Sequence, residues 1–154
     1  MTLPITIDTL KASGALDLAW RVFLEFEAPD YTDEGVGEFR DFIALDAVRQ
    51  KMRKGELHLW GYYDADTLVG MLATRQPCHI ALLFVEKGHH RKGIARSLLH
   101  TALAYYKETS PSTEITVNSS PYAVNAYRKL GFVDTDTEQT VNGLRFTPMK
   151  HIFR

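Results

Sequence analysis

Cysteine is nearly absent from this 154-residue chain, where Cys78 stands alone. A lone cysteine excludes an internal disulfide and makes a reducing compartment, the cytoplasm, the expected location. Long apolar runs are missing as well. No stretch reaches the roughly 18 apolar residues that a membrane-spanning helix needs. The opening residues, "MTLPITIDTLKASG", lack the basic-then-apolar layout of a secretory signal, so none is expected. Charge of one sign is not in excess, with 18 Lys and Arg against 19 Asp and Glu and a net charge of −1. That balance argues against a general nucleic-acid binder, which needs a basic surface. Internal repeats and low-complexity tracts are lacking too, which disfavours a repeat array.

What is present is ordinary for a soluble globular protein: 45% hydrophobic and 24% charged residues. The length suits one domain over residues 1–154, and such a chain buries roughly 70% of its unfolded surface. Charge is unevenly placed. Residues 1–78 hold 8 Lys and Arg against 13 Asp and Glu, while residues 79–154 hold 10 against 6. This is either scatter of surface charge or a division of labour, with the basic half meeting an anion.

The chain alternates helical and strand patterns. "GALDLAWRVFLEFEAPD", Gly14 to Asp30, spaces Leu16, Trp20, Phe23, Leu24 and Phe26 as an amphipathic helix, with Pro29 expected to end it. Thr32 is placed to cap a second helix that carries Asp33 and Glu34 in its first turn and Phe39, Phe42 and Ile43 on its apolar side. Asp46 to Lys54 reads as a further helical turn or two, stopped by Gly55. "ELHLWGYYDADTLVGMLATRQ" reads as a hairpin turning at "DADT". "HIALLFVEKG" reads as a strand buried on both faces. Gly93 to Lys107 follows as a helix, then "TEITVNSS" as a strand. Ser120-Pro121 starts another helix, which Gly131 ends. The tail, "FVDTDTEQTVNGLRFTPMKHIF", reads as a hairpin turning at Asn142-Gly143. The order predicts a mixed α/β domain in which His79 to Asn118 forms a parallel strand–helix–strand crossover.

One stretch stands out, "KGHHRKGIARSLL", Lys87 to Leu99. It sets a basic, glycine-bracketed turn between a strand and a helix start. A helix N-terminus offers unpaired N–H groups and partial positive charge, and glycine allows a close approach, so phosphate is the expected guest. The competing reading is an exposed basic turn without a ligand. Gly88 and Gly93 have the gap of a P-loop, but Ile94-Ala95 follows where Lys-Ser/Thr is required. No G-x-G-x-x-G occurs, and the strand order does not suit a dinucleotide fold. His89 and His90 lack companions at ligand spacing, so no metal is expected. Cys78 and His79 face opposite ways on a strand and cannot form a dyad.

"HRKGIA", His90 to Ala95, resembles the [QR]-x-x-G-x-[GA] signature of the GNAT N-acetyltransferase superfamily, with His90 in place of Gln or Arg. "LLFVEKGHHRKG" resembles that family's fourth strand and its following loop, and "AVNAYRKLGF", Ala123 to Phe132, its A-x-x-x-Y-x-x-x-G-F helix ending. The resemblance spans nearly the whole chain. It implies a mostly antiparallel twisted sheet flanked by helices, with one parallel strand pair splayed at the cofactor site. It also implies transfer of acetyl from acetyl-coenzyme A to a primary amine by direct attack in a ternary complex.

The resemblance assigns roles residue by residue. His90, Arg91, Lys92, Gly93, Ile94, Ala95 and Arg96 would grip the pyrophosphate. The backbone of Leu83, Phe84 and Val85 would hold the pantetheine arm, and Asn118 and Ser120 would assist. Tyr127 would protonate the leaving thiolate, since a phenol of pKa about 10 matches a thiol. The base position, six residues before Val85, holds His79, whose type suits proton transfer near neutrality. Glu25, Glu27 and Glu86 are secondary candidates. Each has a plain alternative: a core tyrosine, a surface strand-end histidine, a helix cap. The acceptor would face Glu25, Glu27, Asp30, Asp33 and Glu34 beside Phe23, Phe26 and Tyr31, an acidic wall suited to a cationic small molecule or a peptide amine. The rival function is a non-catalytic coenzyme A-binding sensor or interaction module. Pairing into a homodimer is common in the family.

Overall fold

The computed structural model describes residues 1–76, 78–109 and 114–152. Thr113, read above as opening a strand, and Phe153, read as closing the last hairpin, lie outside them. The strands are β1 (Thr2–Ile5), β2 (His58–Asp64), β3 (Thr67–Arg75), β4 (His79–Val85), β5 (Glu114–Ser119), β6 (Val133–Asp134), β7 (Gln139–Val141) and β8 (Leu144–Ile152). The helices are α1 (Leu10–Ser13), α2 (Ala15–Phe26), α3 (Asp33–Phe42), α4 (Leu45–Arg53), α5 (Ile94–Thr109) and α6 (Val124–Lys129). The sheet runs β1-β2-β3-β4-β5-β8-β6, with β7 pairing β8. Among the described residues only β4 and β5 pair in parallel; the other pairings are antiparallel.

Each face of the sheet has its own core. α1 to α4 cover one face, where Leu18, Val22, Phe23, Val48, Leu59 and Met71 are buried together. α5 covers the other, burying Leu98 and Ala102 with Trp60, Leu72, Ile115 and Met149. Thr32 caps α3 as its sequence predicts, its hydroxyl accepting from the Gly35 N–H at 3.3 Å. Asn142 and Gly143 both take positive φ, 52° and 78°, the geometry of the two-residue hairpin read from their sequence.

The structure corrects several readings, among them the start of α6, which begins at Val124 with Ala123 as its N-cap while Ser120 and Pro121 stand before the helix. β1 was not foreseen, because four residues with Pro4 among them are too short to show alternation. As an edge strand β1 tolerates that proline. α2 stops at Phe26 rather than at Pro29, which instead opens a 3₁₀ turn over Ala28–Asp30. β4 is not uniformly buried: Ile80, Leu82 and Phe84 are enclosed, while Ala81, Leu83 and Val85 are half-buried.

The reason for the last correction lies in register. Opposite β4, Thr74 pairs Ile80 while its neighbour Ala73 pairs Leu82. Ala81 is the extra residue of a β-bulge, and one extra residue switches every later side chain to the opposite face. Ile80 accordingly packs with the α5 core, whereas Leu82 and Phe84 pack with the α2 core. On its other side β4 pairs β5 at only two positions, His79 with Thr116 and Ile80 with Val117. Beyond Ile80 the parallel strands part. Among the described residues no helix is long and apolar enough to cross a membrane.

Candidate active site

The parting of β4 and β5 creates two cavities that share a wall. The larger, about 600 Å³, runs from Leu83, Phe84 and Val85 to the loop and first turn of α5, where His89, His90, Arg91, Gly93, Ile94, Ala95 and Arg96 line it. The smaller, about 380 Å³, lies between the splayed strands, the 3₁₀ turn, α3 and the β7–β8 hairpin. Glu27, Leu83, Phe84, Ala123 and Tyr127 line both.

The basic loop of the larger cavity is built from backbone conformations that side chains rarely adopt. Gly88, Arg91 and Gly93 all have positive φ, 89°, 65° and 77°. The turn delivers the chain to α5, whose first hydrogen bond runs from the Ser97 N–H to the Gly93 carbonyl at 3.0 Å. The N–H groups just before Ser97 have no partner within the helix and face the loop's end. The His90 side chain is engaged elsewhere. Its Nε2 lies 2.7 Å from the Val85 carbonyl oxygen, which fixes that nitrogen as the protonated donor, and its ring rests against Phe26. Lys92 is exposed and lines neither cavity.

Tyr127 comes from α6 and is 7% exposed, its ring edge-on to Phe132. Burial, reinforced by the negative charge of Glu27, raises its pKa well above that of a free phenol. Glu27 follows Phe23 by four residues on the buried side of α2, just past the helix end. Burial pushes its carboxyl up to about 7; a Ser120 hydrogen bond partly opposes this, and the charge of Asp30 adds to it. The Ser120 hydroxyl also accepts from the Ala123 N–H at 3.3 Å, fixing the turn that leads into α6. Asn118, at the parting strand, lines the smaller cavity with Ser119 and Ser120.

The structure thus gathers Leu83, Phe84, Val85, His90, Arg91, Gly93, Ile94, Ala95, Arg96, Asn118, Ser120 and Tyr127 around the two cavities. His79 is not among the lining residues. It sits where the strand ladder is closed, its Nδ1 2.8 Å from the Thr116 hydroxyl. Burial and the nearby charge of Arg75 lower its pKa to about 4. The secondary candidates separate cleanly. Glu25 pairs with Lys87 at 2.9 Å and Glu86 with Arg21 at 2.7 Å, which leaves Glu27 as the one at the gap. Cys78 is buried, and its thiol is pushed up to about 11. Tyr31, read from the sequence as an edge of the acceptor wall, lines the smaller cavity, whereas Arg145 and the half-buried His89 line the cavities without having been singled out for the site's chemistry. Their positions depend on long-range packing, for which no local motif exists. No cluster of metal-ligating side chains occurs among the described residues.

An open mixed sheet with one splayed parallel pair, leading into a basic helix start, is the architecture of N-acetyltransferases. PaiA N-acetyltransferase from Thermoplasma acidophilum, solved with coenzyme A, superposes with a TM-score of 0.79 at 16% identity over 99% of this chain and 98% of that one. A GCN5-related N-acetyltransferase from Rhodopseudomonas palustris gives 0.77 at 19% identity over 99% and 95%. An aminoglycoside 6′-N-acetyltransferase complexed with coenzyme A gives 0.66 at 12% identity over 99% and 96%. No curated protein sequence matches the chain. The profile described as acetyltransferase (GNAT) domain matches residues 27–153, and the chain belongs to that family. It is therefore an acyltransferase whose cofactor is acetyl-coenzyme A.

Proposed function

We propose that the protein acetylates a primary amine by direct attack in a ternary complex, with Tyr127 as proton donor and Glu27 as proton acceptor. The observation that carries this reading is the shared wall: Glu27, Leu83, Phe84, Ala123 and Tyr127 separate a cavity that ends in a basic helix start from one that does not. Two reactants held in the two cavities meet only there.

The larger cavity fits coenzyme A. Its basic end presents the free N–H groups of the α5 start, together with Arg91 and Arg96, to a pyrophosphate. The β4 edge beyond Ile80 has no strand partner on the β5 side, so its backbone is free to bond an extended arm. Bound acetyl-coenzyme A supplies the activated acetyl thioester. An N–H from the Leu83 to Val85 edge is in the region where it can stabilise charge developing on the acyl oxygen. His90 ties off that edge at Val85, and Lys92 contributes only long-range charge.

Glu27 has the property a base needs. With its carboxyl at about 7, it exchanges its proton near neutral pH. It is placed to take a proton from the incoming ammonium, directly or through one water. His79, held neutral at the closed end, is placed for structure rather than for this transfer. Burial and the charge of Glu27 keep Tyr127 protonated at neutral pH, so its hydroxyl carries a proton for the leaving thiolate, while the same shift makes it a weaker acid than a free phenol. Replacing Tyr127 by Phe tests the reading. Turnover should fall sharply while acetyl-coenzyme A still raises the melting temperature. Unchanged turnover would remove Tyr127 from the chemistry, and no thermal shift in the wild type would remove the cofactor site.

A further inference from the structure

The acceptor's chemical class follows from what lines the smaller cavity, given the amine-acetylating reading above. Its aromatic lining is dense: Phe23, Tyr31, Phe39, Phe84 and Phe146 contribute. Phe23 and Phe39 stack at 3.8 Å between ring centroids, and Phe84 meets Phe39 edge-on at 5.7 Å. Charge, by contrast, is scarce. Of the five acids read in the sequence as an acidic wall, only Glu27 lines the cavity; Glu25, Asp30, Asp33 and Glu34 do not.

The other charged lining group is Arg145. Its Nε donates to Glu138 at 3.2 Å, its second terminal nitrogen donates to the same carboxylate at 3.3 Å, and Asp30 lies 4.0 Å away. Those carboxylates already neutralise it, so it offers little to an acidic acceptor. A polycation placed here would find Glu27 as the one carboxylate on the lining, and its further charges would have no partner there, because Arg145 already pairs with Glu138.

One side of the cavity is held in place by the last hairpin. The Asn142-Gly143 turn docks on the start of α3, so tightly that a Cβ at Gly143 would collide with the Thr32 hydroxyl and the Gly35 backbone. Arg145 donates to the Asp30 carbonyl at 3.5 Å, joining the same hairpin to the 3₁₀ turn. The hairpin therefore walls the cavity on the side of α3 and the 3₁₀ turn. At about 380 Å³ the cavity is at the small end of ligand pockets.

We infer that the acceptor is a compact monoamine on an apolar or aromatic body, not a polyamine, an amino sugar or a peptide. The ammonium meets Glu27, and the body packs on the phenylalanines. Thiol release from saturating acetyl-coenzyme A is measured for 2-phenylethylamine, hexylamine, spermidine, kanamycin and a lysine-containing decapeptide. The two monoamines are expected to exceed the others by at least tenfold in kcat/KM. Spermidine, kanamycin or the peptide matching them would overturn the inference while leaving amine acetylation intact. Thiol release with none of the five, despite a thermal shift with acetyl-coenzyme A, would overturn both.

A second test uses Phe146→Asp, at a half-buried position on β8. The ratio of kcat/KM for 2-phenylethylamine over spermidine should fall at least tenfold, with the KM for acetyl-coenzyme A within twofold of wild type. That retained KM shows the variant is folded. An unmoved ratio in the folded variant would overturn the inference. Should the KM for acetyl-coenzyme A be lost, Phe146→Leu replaces it, with a two- to fivefold fall in the same ratio expected and no fall overturning the inference.

Discussion

The two ends of the β4–β5 pair are built from the same strands and behave as opposites. At the closed end the backbone ladder is complete, and His79 spends its ring nitrogen on Thr116. At the open end the ladder stops after Ile80 and Val117, and Glu27, Ser120 and Tyr127 gather in the space. Burial drives a titratable group at each end toward its neutral form. His79 goes down to about 4 and Glu27 up to about 7. The consequences differ because of where the shifted values land. A histidine at 4 is inert at neutral pH, while a carboxyl at 7 is poised there. The bulge at Ala81 is what divides the strand into these two regimes.

The largest effect should come from the open end. Tyr127→Phe removes one hydroxyl from a buried ring and leaves its packing on Phe132 in place. A positioned proton donor contributes about 10²–10⁴-fold, so kcat is expected to drop by at least about 10²-fold. The dissociation constant for acetyl-coenzyme A should stay within twofold, as judged by calorimetry. Equal losses in both would mean the hydroxyl holds the cofactor rather than serving the chemistry.

Glu27→Gln and His79→Asn set the two ends directly against each other. Glu27→Gln should lower kcat/KM by roughly 10²-fold and lack the acid limb expected of the wild type near pH 7. His79→Asn should leave kcat/KM within about threefold. A reversal of these results would move the base to the closed end. Stability should respond with opposite slopes. The folded carboxyl of Glu27 lies above its ordinary value of 4.5, so its contribution to stability is lost as pH rises from about 4.5 to about 7. The folded imidazole of His79 lies below 6.5, so its contribution is lost as pH falls from about 6.5 to about 4. Glu27→Gln should therefore gain roughly 1–2 kcal/mol at pH 8, less than the full shift implies because Glu27 is only half-buried. Melting temperatures across pH 4–8 check both slopes.

How much of this was legible in the sequence depended on whether the determining signal was local. The helix cap at Thr32, the Asn142-Gly143 turn and the phosphate-type loop before Ile94 are local, and the structure has all three features. Tyr127 was named from a motif, and its hydroxyl-bearing ring is found at the wall between the cavities. Glu27 could be reached only by ranking acids, because its distinction is burial created by α2 lying against the splayed strands. The Ala81 bulge leaves no residue signature, since an alanine in an apolar run fits any register. The acidic wall dissolved for a related reason. Sequence counts charges on an element, and only packing decides which of them meets the cavity.

His90 sharpens the comparison with the smallest expected effect, because it partly undoes the opening at the far end of β4. Its bond to the Val85 carbonyl gives the strand edge a partner where β5 no longer provides one. His90→Ala removes that bond and leaves the carbonyl facing the cavity, where water or the bound cofactor arm can replace the donor. Because the site is half-buried rather than sealed, the loss of stability should be about 0.5–1.5 kcal/mol, the range for an ordinary hydrogen bond. The KM for acetyl-coenzyme A should rise only about two- to fivefold, with kcat unchanged. His90→Gln should recover part of the KM, since a longer amide can donate either to the carbonyl or to a phosphate. If His90→Ala instead raised the KM by more than about 30-fold, the imidazole itself would be a principal pyrophosphate ligand. The free N–H groups at the start of α5, with Arg91 and Arg96, would then be secondary to it.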